Sequence, residues 1–186
     1  MPQLMPWAAH LRVGLVAFLC FLGTIPLANW MIGHVGTVCP PGQPCLVPVF
    51  PGLLAPSGVV TVGVALVLRD VVQRCLGTLW GLGAVLVGSA LSVLVAPPSL
   101  AAASAVAFLA SELADFGVYT PLQRRRLVLA VLASATLGLF VDSVVFLWLA
   151  FGSLEFLLGQ VVGKLWAVVV SIPFIRLLRR VAPTPA

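Results

Sequence analysis

Charge is scarce in this chain: only 8% of its 186 residues are Asp, Glu, Lys or Arg, whereas 61% are hydrophobic. A soluble domain carries roughly 25% charged residues. A small soluble fold must still present a polar skin to water, so the deficit excludes that class and makes lipid the natural solvent. Histidine occurs twice and cysteine four times, and no set of closely spaced pairs supplies the roughly four ligands of a zinc site. A Gly-x-x-x-x-Gly-Lys-Ser/Thr phosphate loop, a Gly-x-Ser-x-Gly elbow and a His-Glu-x-x-His pair are all missing. The chain is therefore expected to be no enzyme and to hold no cofactor or metal. His10 and His34 fall near membrane boundaries and are given no catalytic work.

A net charge of +5 raises the question of nucleic acid, which its distribution answers. Arg124, Arg125 and Arg126 form one cluster, and Arg176, Arg179 and Arg180 another, each at the end of an apolar run without interleaved aromatics. They read as membrane flanks, not as a stripe that tracks phosphates. The expected surroundings are membrane lipid, with no nucleic-acid partner.

Apolar runs are abundant. A spanning helix takes about 20 mostly apolar residues, and six segments qualify, over about 12–31, 53–68, 78–96, 100–119, 127–151 and 154–178. The expectation is an all-α, polytopic membrane protein, with residues 1–186 as a single transmembrane domain. The breaks between segments are Pro-rich residues 40–56, Arg69 to Arg74, Pro97-Pro98, Thr120 to Arg126, and Gly152-Ser153. Proline cannot continue a helix ladder, and charge resists hydrocarbon. The first segment also resembles a signal peptide, but Ala28-Asn29-Trp30 makes a poor cleavage site, so it is kept as a helix. With the N-terminus inside, every arginine falls on the cytoplasmic side and the outer loops hold none, which puts both termini in the cytoplasm of an inner-membrane protein.

Cys39 and Cys45 bracket Cys-Pro-Pro-Gly-Gln-Pro-Cys in the first outer loop. In an oxidising compartment they form a small disulfide staple; otherwise they are two free thiols. Gly77 with Gly81, and Gly159 with Gly163, have the spacing that lets helices approach closely, and such a face also suits a homodimer.

Four ionisable residues remain inside the membrane: Glu112, Asp115, Asp142 and Lys164. Each costs about 2.5–3.5 kcal/mol at a helix centre on insertion scales, so they must face inward and find partners. Ser104, Phe108, Ser111, Glu112 and Asp115 share one helical stripe; Ser134, Gly138 and Asp142 share another; Gln160 and Lys164 are one turn apart, with Ser171 further along that face. These stripes are expected to converge on one midplane cavity, where transporters place their substrates. The plainer alternative is a structural salt bridge from Lys164 to Asp142 or Glu112. Three acids against one base leave an excess that a solute rich in N–H donors would satisfy. Arg69 and Asp70 are expected as a solvated pair at the cytoplasmic edge, with a substrate or gating role for Asp70 as the alternative. Asn29 is a candidate cap of the cavity from the first helix. Trp30, Trp80, Trp148 and Trp166 read as belt or packing residues.

The stretch ASAVAFLASELADFGVYTPLQRRR from Ala103, SATLGLFVDSVVFLWLAFG from Ser134 and GQVVGKLW from Gly159 resembles the queuosine precursor transporter family, also called the VUT or vitamin uptake family. The likeness rests on Ser111, Glu112 and Asp115, on Asp142 with Ser143, on Ala150-Phe151-Gly152, and on Lys164. It covers the second half of the chain well. In the first half, Arg74 and Leu76 stand where the family pattern has an acid and an aromatic. The resemblance implies import of a 7-deazaguanine. A carboxylate can accept its paired N–H donors in short, charge-assisted bonds. Glu112 or Asp142 would take that role, Lys164 or Gln160 would face the carbonyl edge, and Asp115 would be a second acid, gate or proton site. The alternatives are a substrate-binding subunit of a multi-component vitamin uptake transporter and, in other classes, a membrane-embedded enzyme or a scaffold.

Overall fold

A computed structural model describes residues 7–41, 43–96 and 100–181. The Pro97-Pro98 break and the side chains of Arg179 and Arg180 lie outside what it describes. Among the described residues there are six helices: α1 (Trp7–His34), α2 (Val59–Leu76), α3 (Thr78–Val95), α4 (Ala101–Leu122), α5 (Leu127–Phe151) and α6 (Leu157–Val181). Between α1 and α2 stand two short antiparallel strands, β1 (Leu46–Phe50) and β2 (Leu53–Pro56). The all-α expectation thus holds for the body of the molecule and misses this hairpin.

Four helices, α1, α3, α4 and α5, are long and apolar enough to cross a membrane. Their outward faces carry large apolar side chains in the open, such as Leu19, Leu79, Leu94 and Trp148. Helix α2 stands apart from these because it carries three charged residues, Arg69, Asp70 and Arg74, and all three are buried.

The second segment is displaced from its expected 53–68. Residues 53–56 pair with β1 instead, and the helix begins at Val59 and continues to Leu76. Hydropathy cannot separate an apolar strand from an apolar helix over so few residues. It also stops a span at the first charge, whereas Arg69, Asp70 and Arg74 stay helical because the neighbouring helices bury them. Gly77 then ends α2 and caps α3 with φ +98°, a conformation that favours glycine, so two helices meet at a single residue.

Packing neighbours define the up-and-down course. Position Gly14 near the start of α1 lies against Leu76 at the end of α2, and Gly88 in α3 lies against Phe108 in α4 and Ile25 in α1. Phe21, Val72 and Ala84 fill the seam of α1, α2 and α3, and Leu66, Ala130, Val131 and Leu139 fill that of α2 and α5. The hairpin folds down onto α6. The Gly159 Cα faces the Leu54 carbonyl so closely that any Cβ would collide with it, and Gly163 takes Val49 and Val59. Trp166 Nε1 donates to the Val49 carbonyl at 3.0 Å. The small-residue face of α6 is thus filled by the chain's own hairpin. A disulfide joins Cys39 to Cys45 beside it, and the Cys45 amide donates to the Ile32 carbonyl at the end of α1.

Candidate functional site

The buried charges form two centres at different depths, not one. Counted from the hairpin end, Lys164 is seven residues into α6 and Asp142 nine residues from the end of α5. Glu112 and Asp115 lie eleven and fourteen residues into α4. At about 1.5 Å per residue the second centre sits several ångströms deeper.

In the outer centre, the Lys164 ammonium donates to Asp142 Oδ2 at 2.5 Å, to Ser143 Oγ at 2.8 Å and to Gln160 Oε1 at 2.8 Å. An ammonium has three N–H donors, so all are committed. Ser143 passes its own hydrogen to the Leu139 carbonyl at 2.7 Å. Because Lys164 only donates, Gln160 must turn its oxygen to it, which leaves the Nε2 group as a donor. Asp142 Oδ1 accepts no hydrogen bond among the described residues, and Asp142 lines the main cavity.

That cavity lies between the helices beneath the hairpin and has a volume of about 80 Å³, room for several waters. Asn29, Phe108, Phe146, Asp142, Gln160 and Lys164 line it, joined by the hydroxyls of Thr24, Ser92 and Ser104. Asn29 donates to the Ile25 carbonyl at 3.0 Å, so its side-chain oxygen is the group left over.

In the inner centre, one guanidinium serves three side chains on two helices. Arg69 Nε donates to Glu112 Oε2 at 3.0 Å, Nη2 to Asp115 Oδ1 at 2.6 Å, and Nη1 to Gln73 Oε1 at 2.9 Å. Gln73 hands on a hydrogen to Thr120 Oγ1 at 2.9 Å. The Arg69 guanidinium also lies over the Phe116 and Tyr119 rings, 5.6 and 5.8 Å from their centroids. Asp70 Oδ1 stands 3.0 Å from Arg69 Nη1 without accepting a hydrogen bond from it. Arg69 is 0% exposed and Asp70 1%, which corrects the expected solvated interfacial pair. The reason is tertiary: α4 supplies carboxylates at the depth where α2 presents its arginine.

The expected residues therefore separate. Asp142, Gln160, Lys164, Asn29 and Phe108 reach the cavity, and Ser143 supports Lys164 from behind. Glu112, Asp115 and Asp70 belong to the Arg69 centre, and Ser111 donates to the Phe108 carbonyl at 2.9 Å. Ser171 donates to its own helix at Val168. The excess of acid over base is largely met by Arg69, which sequence reasoning left at the edge. Its signal was available: from Val59 to Leu76 neither Pro nor Gly interrupts the run after Gly63, and Arg69 and Gln73 are one turn apart. Thr24 and Ser92 were also missed; a lone hydroxyl in an apolar helix carries no periodic signal.

Helices long and apolar enough to span, with titratable groups turned inward, define a multi-pass membrane protein. Residues 89–178, just under half of the chain, match the family model described as "Putative vitamin uptake transporter". That stretch holds the end of α3, all of α4 and α5 and nearly all of α6, with both carboxylates of α4, the Asp142–Lys164 pair and Gln160. No curated protein and no solved structure matches the chain.

Proposed function

We propose that the chain is an inner-membrane transporter whose six helices all cross the bilayer with both termini in the cytoplasm, and that it imports a queuosine precursor of the 7-deazaguanine type by secondary or facilitated transport. The observation that carries this reading is Asp142, a buried carboxylate pinned on one oxygen by Lys164 and open to the cavity on the other. The family match of the C-terminal half and the nine-to-none distribution of arginines support it.

A guanine-like edge carries a ring N–H beside an exocyclic amine. Asp142 Oδ1 accepts one, and the second lone pair of Oδ2 is within reach of the other. Gln160 Nε2 is the donor for the carbonyl edge, because Lys164 has no N–H to spare. Phe108 and Phe146 give the flat ring apolar faces. Lys164 acts by fixing Asp142 and Gln160 in place. A homodimer would have to use a face other than Gly159 and Gly163.

The test is uptake in a bacterial strain lacking both precursor synthesis and its own importer, read as queuosine in transfer RNA on a boronate gel. Expression is expected to restore the modification at low precursor supply. Asp142→Asn is expected to raise the precursor concentration required by about 10- to 100-fold, the worth of a hydrogen bond to a charged group. Normal rescue by Asp142→Asn would remove Asp142 from the site. Failure with every precursor, by protein shown to be in the membrane, would sink the import reading. Rescue only together with a co-purifying ATPase would make the chain the substrate-binding subunit of a larger uptake complex.

A further inference from the structure

Among the described residues, the inner centre carries one acid too many. Arg69 and Arg74 of α2 stand against Asp70 of the same helix and Glu112 and Asp115 of α4, two cations for three carboxyls, all of them buried. Tyr119 is the other titratable group facing Asp70, and its hydroxyl donates to the Asp70 backbone carbonyl at 3.2 Å. Helix α5 faces this place with Leu127, Val131, Ser134 and Gly138, none of them charged.

A second observation is independent of that count. Asp70 is 1% exposed and Asp115 0%, yet both Asp70 carboxyl oxygens and Asp115 Oδ2 accept no hydrogen bond. Both carboxyls stand against the same guanidinium, Asp70 Oδ1 3.0 Å from Arg69 Nη1 and Asp115 Oδ1 2.6 Å from Nη2. Two carboxylate oxygens have no donor to offer each other, and like charges so close cannot both be ionised. A proton between them supplies the missing donor and neutralises the excess acid. Beside Asp70 and Arg74 lies a cavity of about 10 Å³, room for about one water. It is lined on its other sides by Val67, Tyr119 and Leu127, toward the end of the bundle away from the hairpin.

We propose that the Asp70–Asp115 carboxyl pair, held against Arg69, is a proton-binding site and that its proton is the ion coupled to solute movement. The proton sits on Asp70 and is donated to Asp115 Oδ2 while the inner centre is closed. Separation of α2 from α4 breaks this O–H···O bond, exposes Asp70 to the small cavity and lets water there take the proton. Asp70 is left as a carboxylate, to be reprotonated in the next cycle. The coupling rests on the transport reading above; the proton site itself does not.

Two measurements on the purified full chain in proteoliposomes test this. Infrared difference spectra are expected to show a buried carboxylic-acid C=O band that titrates with bulk pH and is absent in Asp70→Asn and in Asp115→Asn. An unaltered band in both variants, or none in the wild type, overturns the proposal. Uptake of labelled 7-cyano-7-deazaguanine is then compared between counterflow, which needs no gradient, and an imposed pH difference. At one proton per neutral solute, a one-unit difference drives accumulation of about tenfold. Asp70→Asn is expected to lower the ratio of pH-driven to counterflow uptake by about that factor, with Asp70→Glu restoring part of it. Wild-type counterflow without any accumulation driven by the imposed pH difference overturns the coupling. If counterflow fails with this base, the substrate reading falls, and the proton site stands or falls on the band's response to bulk pH.

Discussion

Arg69 shows how much a single side chain organises at the residue scale. Its planar fork reaches Glu112, Asp115 and Gln73 with three different nitrogens while its face rests on Phe116 and Tyr119. An ammonium is a point charge and cannot span that geometry. Removal of the cation leaves buried carboxyls without their partner, which costs about 3–5 kcal/mol. Arg69→Met is therefore expected to lower the thermal midpoint in detergent strongly, and Arg69→Lys to recover only a part. Equal midpoints for wild type and Arg69→Lys would show that the fork geometry is unimportant. The composition of this centre was legible, since Glu112 and Asp115 stood out as costly charges in an apolar helix. Its base was not, because charge at the end of an apolar run looks like a flank until the helix that meets it is known.

At the scale of elements, the hairpin is the part that hydropathy misread. Strands β1 and β2 satisfy each other's backbone groups, and the surface they settle on is made by glycines of α6. Gly159→Val puts a branched side chain where the Leu54 carbonyl lies. Overpacking of this kind costs about 1–3 kcal/mol. Faster amide exchange over residues 46–56 is expected, together with a lower thermal midpoint, while the disulfide still forms. Unchanged exchange there would mean that the hairpin is held by Trp166 and Cys39–Cys45 rather than by the close approach to α6. The spacing of Gly159 and Gly163 was visible in the sequence, but its partner was not: a small-residue face says that something comes close, not which chain segment does.

For the whole molecule, orientation is the testable property. Arginines gather at one end of the bundle, and the disulfide hairpin lies at the other. Reporter fusions at the C-terminus are expected to fluoresce or remain unexported, as cytoplasmic fusions do. Alkaline phosphatase inserted after Gly52, in the turn between β1 and β2, is expected to be active. An active phosphatase at the C-terminus would reverse the orientation or change the number of crossings. The same test bears on α2, which carries three buried charges along its length.

Composition and periodicity by themselves determined that this chain lives in lipid, that it is built of helices, and which residues inside it are chemically costly. Those conclusions follow from solvation, which acts on each residue or each helical face separately. Only the tertiary structure decided that the costly residues form two centres and that α2 carries its charges inward. It also seated the hairpin on α6 and left Asp142, not Glu112, open to the cavity. Each of those depends on which helix faces which and at what depth, and a charge in an apolar run is compatible with many partners until packing selects one.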